Sequence, residues 1–267
     1  MSWWGKVLGG AFGFMLGGPL GAILGAAMGH SFDKGLASAT HYTGHRIGDT
    51  ERVQSAFFAA TFSVMGHVAK ADGRVSEIEI RMANHIMSQM MLDEAQRKVA
   101  RKLFSEGKQA DFDLDGVLSQ FKKECHRRFN LIQMFLEIQI ATLLADGVVH
   151  GKERDIIHYI GQNLGVNDRL IDQLISMVQA QQHYAHTGDI HRPATVSDLR
   201  EAYAVLGVTE SADDQEIKKA YRRLMNQHHP DKLVSKGLPE EMIKLATEKT
   251  QEIKKAYEQI KHARKRA

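Results

Sequence analysis

From Val7 to Gly29 the chain carries no ionisable side chain. A run of that length is enough to cross a bilayer core of roughly 30 Å as one helix. Trp3 and Trp4 precede it, where indole rings favour the headgroup region. Lys6 bounds one end, and His30, Asp33 and Lys34 bound the other. Within and beside the run, Gly5, Gly9, Gly13, Gly17, Gly21, Gly25 and Gly29 recur at every fourth position. On a helix they would form a nearly continuous strip without side chains. In lipid, such strips let two backbones approach closely, so the strip predicts a dimerising transmembrane helix. A cleaved signal peptide is the competing reading. Against it stand the weak basic n-region and an apolar stretch longer than a usual h-region. Lys34, Arg46 and Arg52 follow the run and only Lys6 precedes it, which favours a cytoplasmic bulk.

The remainder reads as helix. Pro19, Pro193, Pro230 and Pro239 are the only prolines, leaving long stretches free for helices. No run of alternating β-branched and polar residues stands out. Cys125 is the one cysteine, so no internal disulfide can form, which suits a reducing compartment. After a polar linker, amphipathic spacing runs from Val53 to about Gln179. Phe57, Phe58, Thr61, Phe62, Met65 and Val68 form one stripe, and Leu131, Met134, Phe135, Ile138 and Leu143 another. An element recurs at an offset of 74 residues: Ala71-Asp72-Gly73 leading to Glu79, and Ala145-Asp146-Gly147 leading to Glu153. Two related helical-hairpin units are expected. The pattern is like the second half of a calcium loop, but the earlier ligand positions hold Val68 and Lys70, and Thr142 and Leu144. Asp72, Glu79, Asp146 and Glu153 are therefore read as turn and helix-start residues, and no metal site is assigned to them.

The C-terminal segment holds the whole net charge. From residue 197 onward there are 15 Lys/Arg and 12 Asp/Glu, against 20 of each before it. It lacks the interleaved aromatic platform or groove-reading motif of a nucleic-acid binder. Leu199, Ala202, Tyr203 and Leu206 make a short stripe that stops at Gly207. Ser211 and Asp214 read as a capping box for a helix with Ile217, Ala220, Tyr221 and Leu224 on one face. Lys218, Lys219, Arg222 and Arg223 lie off that face, spaced one turn apart in pairs. Then comes His228-His229-Pro230-Asp231-Lys232, with Pro230 ending the helix. Pro239, Glu240 and Glu241 start a further helix whose stripe includes Met242, Leu245, Ile253, Ala256, Tyr257 and Ile260. Two such helices around a rigid tip make an antiparallel hairpin. No Gly-Lys pair is followed by Ser or Thr, no His-Glu-x-x-His helix occurs and no Gly-x-Ser-x-Gly elbow occurs. No enzyme chemistry and no cofactor is expected.

Three resemblances follow from these residues. The two Ala-Asp-Gly copies with Glu79 and Glu153 resemble the helical TerB-type domain of tellurite-resistance proteins. Tyr203 to Val208, Glu216 to Leu224, His229-Pro230-Asp231 and Gln251 to Tyr257, in that order, closely resemble a J-domain. The whole arrangement is similar to the membrane-anchored DnaJ-like co-chaperones. The resemblance implies an all-α chain: a short periplasmic N-terminus over 1–6, a transmembrane helix over 7–30, a linker over 31–52, a TerB-like bundle over 53–180, a linker over 181–196 and a J-domain over 197–267. It implies a regulatory co-chaperone in the bacterial inner membrane, with a DnaK-type chaperone as partner and a homodimer through the anchor. Lys218, Lys219, Arg222 and Arg223 would dock on an acidic chaperone surface, and His229, Pro230 and Asp231 would trigger its ATPase. Envelope or capsule signalling belongs to the same resemblance. A membrane-bound cation or stress sensor working through the TerB-like domain is the alternative.

Overall fold

The computed structural model describes residues 17–28, 49–70, 77–90, 92–144, 151–187 and 196–266. Among them every regular element is helical. The first is α1 (Gly18–Met28), followed by α2 (Asp49–Val68), α3 (Glu77–Gln89), α4 (Glu94–Gly107), α5 (Leu114–Glu124), α6 (Phe129–Leu143), α7 (Gly151–Asn163) and α8 (Asp168–Thr187). The C-terminal part holds α9 (Val196–Leu206), α10 (Asp214–His228), α11 (Pro230–Ser235), a 3-10 turn (Glu240–Met242) and α12 (Ile243–Arg266).

The middle of the molecule is built around α2 and α6, which pack on each other. Both are buried on nearly every face, as expected of helices apolar all round. Phe57, Phe121 and Phe135 meet where α2, α5 and α6 converge, with Phe121 and Phe135 ring centroids 4.6 Å apart. The expected repeat is visible in the element order. Helix α2 leads to α3 and α6 leads to α7, and α7 begins 74 residues after α3, the same offset as between the two Asp-Gly pairs of the sequence. α4 is started by a capping box in which Asp93 accepts from the Gln96 N–H and Gln96 accepts from the Asp93 N–H.

The J-type hairpin forms as the spacing predicts, with two local differences. The capping box of α10 is Asp213 with Glu216, not Ser211 with Asp214. Asp213 has extended backbone and accepts from the Glu216 N–H at 2.7 Å. Ser211 lies in the turn before it, where its hydroxyl pairs with Thr209. Second, Pro230 does more than end a helix. It occupies the first position of α11, where its missing N–H is harmless. The chain thus pauses only at His229 before turning helical again. α9 ends at Gly207, whose φ of +64° lets the Val208 N–H return to the Tyr203 carbonyl.

The N-terminal helix also differs from a single continuous rod. Gly17 and Gly18 have φ of +56° and +61°, values that a right-handed helix does not continue through. α1 starts there and packs against α2, α4 and α5. Among the described residues no helix is long and apolar enough to cross a membrane. Gly21 and Gly25 lie on α1; Gly5, Gly9, Gly13 and Gly29 lie outside the described residues.

Candidate functional site

The tip between α10 and α12 is presented outward. The side chains of His229 and Asp231 are 46 % and 93 % exposed, with His229 Nδ1 4.0 Å from Asp231 Oδ2. Their backbone is fixed from within. The His229 carbonyl accepts from the N–H groups of Lys232 and Leu233 at 3.1 and 3.0 Å. Leu233 and Leu238 are buried beneath the tip, and Gly237 at φ +98° closes α11. Asn226 accepts from the Lys232 ammonium across the turn. Lys218, Lys219, Arg222 and Arg223 are all exposed along α10, leading up to the tip. On the opposite face Ile217, Ala220 and Leu224 are buried. Tyr221 stacks on Tyr257 of α12 at 4.2 Å, so the tyrosines serve packing as read. An exposed tip next to a row of exposed cations suits an acidic protein partner.

The tip is anchored from behind by residues the sequence reading did not single out. Asn130 of α6 donates to the Gln227 carbonyl at 3.0 Å and accepts from Lys236 at 3.0 Å, bracketing the tip on both sides. His228, next to the exposed His229, points the other way and is buried, with Nε2 3.5 Å from Glu137 Oε1. Glu137 is itself buried and pairs with Lys249 of α12, while Gln133 donates to it at 3.0 Å. Burial alone would push the Glu137 carboxyl up, but His228, Lys249 and Gln133 outweigh it and hold it below the ordinary range. Burial pulls the His228 imidazole down, with the Glu137 carboxylate offsetting part of that. Lys249 is the cation of this group, and His228, pulled below its ordinary value, is neutral at neutral pH. The far end of α12 is held by Arg264, which donates to the Tyr203 hydroxyl and to Asp214, each at 2.9 Å. The signal for Glu137 was present: it is the sole ionisable residue of α6.

Asp72 and Asp146 lie outside the described residues, and so does the side chain of Glu79; Glu153 is buried in the first turn of α7. Among the described residues no three His, Cys, Asp or Glu side chains are grouped to hold a metal ion. Cys125 is buried, and burial pushes its thiol up to about 12, so it is not a nucleophile near neutral pH.

Two antiparallel helices, a basic face and an exposed His-Pro-Asp tip define a J-domain protein. Three family models match: "Co-chaperone DjlA transmembrane domain" over residues 1–39, "Tellurite resistance protein TerB" over 58–175 and "DnaJ domain" over 201–267. The chain belongs to the DjlA co-chaperone family. It is 46 % identical over 267 residues to the co-chaperone protein DjlA of Coxiella burnetii, covering 99 % of each chain. It is 45 % identical to that of Shewanella oneidensis, covering 99 % of each. With that of Photobacterium profundum it shares 44 % over 272 residues, covering 97 % of this chain and 98 % of the relative. No solved structure matches.

Proposed function

We propose that this chain recruits a DnaK-type chaperone to the bacterial inner membrane and stimulates its ATP hydrolysis. The carrying observation is the polarity of the J-domain. Its tip and basic face are open, while the opposite side is packed on the middle domain through Asn130 and Glu137. Lys218, Lys219, Arg222 and Arg223 steer and orient an acidic chaperone surface. Pro230 holds the turn, and His229 and Asp231 make the polar contacts that trigger hydrolysis. The ATP is cleaved in the partner, and this chain performs no chemistry itself. Residues 7–30 serve as a single-pass anchor with a periplasmic N-terminus, and Gly5, Gly9, Gly13, Gly17, Gly21, Gly25 and Gly29 give a self-association face in the bilayer.

Single-turnover ATP hydrolysis by the DnaK-type chaperone of the same cell tests the reading. The full chain in lipid nanodiscs is expected to speed hydrolysis severalfold or more, and His229→Gln to abolish that gain. If the wild type has no effect, the proposal fails; if His229→Gln stimulates equally, the tip is not the trigger. The basic face has its own signature. Raising ionic strength from about 0.1 to 1 M shortens the Debye length from about 10 to 3 Å. Stimulation at limiting chain concentration should fall with it, and a Lys218→Ala/Arg222→Ala variant should begin low and respond less.

A further inference from the structure

Helix α1 lies in a groove walled by α2, α4 and α5. Leu20, Leu24 and Ala27 are buried in it, at i, i+4 and i+7, which is one helical face. Gln120 of α5 grips the entering end. Its Oε1 accepts from the Leu20 N–H at 2.9 Å and its Nε2 donates to the Gly17 carbonyl at 2.8 Å. One orphan donor of the first turn is thereby satisfied. Pro19 sits against Gly116, where a Cβ would come within 2.8 Å of the proline ring. The groove thus has an apolar floor, a polar grip at one end and a notch for close approach.

The residues seated there belong to the segment that matches a transmembrane family model. The two placements exclude each other. With Gly18–Met28 in the groove, the uncharged run retains only Val7 to Gly17, about 16 Å of helix at a rise of about 1.5 Å per residue, against a core of roughly 30 Å. Gly17 and Gly18 stand at the junction with positive φ, and glycine passes readily to right-handed values. With right-handed values at both, a single helix through the uncharged run Val7 to Gly29 would be long enough to span. An inserted anchor would leave the groove without α1 and its apolar floor exposed.

We propose that, with the anchor inserted, this groove binds an uncharged, small-residue-rich helix of transmembrane type from a client protein, for which α1 is the internal stand-in. The occupant is argued from what sits there: an uncharged helical segment with Leu, Leu and Ala on one face and glycines beside them, gripped at its first turn. The purpose rests on the proposed co-chaperone function, since the groove would hold a membrane segment next to the recruited chaperone.

The test uses the full chain in lipid nanodiscs. The probe is a synthetic peptide of residues 17–28 with flanking lysines and photo-leucine in place of Leu24. On irradiation, cross-links are expected to map to α2, α4 and α5. A peptide with Leu20→Asp should cross-link at least tenfold less, and Gln120→Ala in the chain should lower capture severalfold. Equal capture of the Asp peptide, no loss with Gln120→Ala, or cross-links to lipid alone would overturn the proposal. In a second arm, photo-leucine replaces Leu24 of the chain itself. It should then label lipid; labelling of α5 in the same chain or in a second copy would assign the groove to the anchor and overturn the client assignment. His229→Gln should capture the peptide like the wild type. Failed capture with intact ATPase stimulation thus sinks this inference alone, and intact capture without stimulation sinks the co-chaperone reading alone.

Discussion

Replacing Glu137 by glutamine is expected to destabilise the folded chain by about 3–5 kcal/mol, the usual cost of breaking a buried ion pair by removing one partner. Both charges are shielded: the Lys249 side chain is 12 % exposed and Glu137 is 2 % exposed. The amide would leave the Lys249 ammonium without its counter-charge and set a neutral group against His228. Denaturant melts of wild type, Glu137→Gln and the double variant Glu137→Leu/Lys249→Met measure this. The double variant should recover most of the loss, because an apolar pair of similar size replaces a desolvated ionic one. Because Glu137 lies on α6 and Lys249 on α12, the loss falls on the join between the middle domain and the J-domain. The tip residues keep their local supports, so ATPase stimulation by Glu137→Gln should persist at temperatures where the J-domain stays folded.

The same group sets a pH dependence. The folded His228 imidazole titrates below its ordinary value, so on acidification the unfolded chain takes up a proton first, near about pH 6.5. Stability therefore falls as pH drops from about 7 through 6.5 toward the folded value. Glu137, held low, contributes stability above the ordinary glutamate range of about 4.3 and loses it only as pH falls through its folded value. Melting temperature against pH should thus show a decline as pH falls from about 7 through 6.5 that is reduced in His228→Gln. His67, also pulled down by burial, accounts for part of the slope that remains. An unchanged slope in the variant would show that folding leaves the protonation of His228 unaltered and would overturn this reading.

What the sequence made legible was local. The J-domain depends on a tripeptide, a basic helical face and apolar stripes within one continuous segment, and each could be read in order. The repeat was legible for the same reason, because the Asp-Gly pairs stand in the sequence shortly before α3 and α7. The capping box was misplaced by two residues because both Ser211/Asp214 and Asp213/Glu216 fit the same spacing. Only the extended backbone at Asp213 decides between them. Contacts between distant segments were not legible. Nothing local pairs Glu137 with Lys249, or assigns opposite directions to His228 and His229, which face the middle domain and solvent. Nor could the uncharged run announce that half of it fits a groove as well as a bilayer, since both demand the same apolar face.

Alanine at Gly66 should cost about 3 kcal/mol, at the upper end for forcing extra atoms into a packed core, and lower the melting temperature by about 6–12 °C. Intrinsic propensity predicts the opposite sign, because alanine is favoured over glycine inside a helix by about 1 kcal/mol. The reason is the crossing of α2 and α4. A Cβ at Gly66 would stand 2.0 Å from the Phe104 carbonyl oxygen, and one at Gly107 would stand 1.7 Å from the Ser63 carbonyl oxygen. Those are backbone atoms that cannot rotate aside, so the two helices must separate. Gly107→Ala should act in the same direction, and the two should fall short of additivity because one separation relieves both clashes. Gly151→Ala is the control. At the start of α7 nothing lies within 4 Å of the added atom, and the variant should match or slightly exceed wild-type stability. Since α2 and α4 also wall the groove that holds α1, spreading them should loosen α1. Gly66→Ala should then speed hydrogen exchange across α1 at temperatures well below unfolding. Exchange in α1 unchanged from wild type, with the chain destabilised, would mean that the groove does not depend on this crossing.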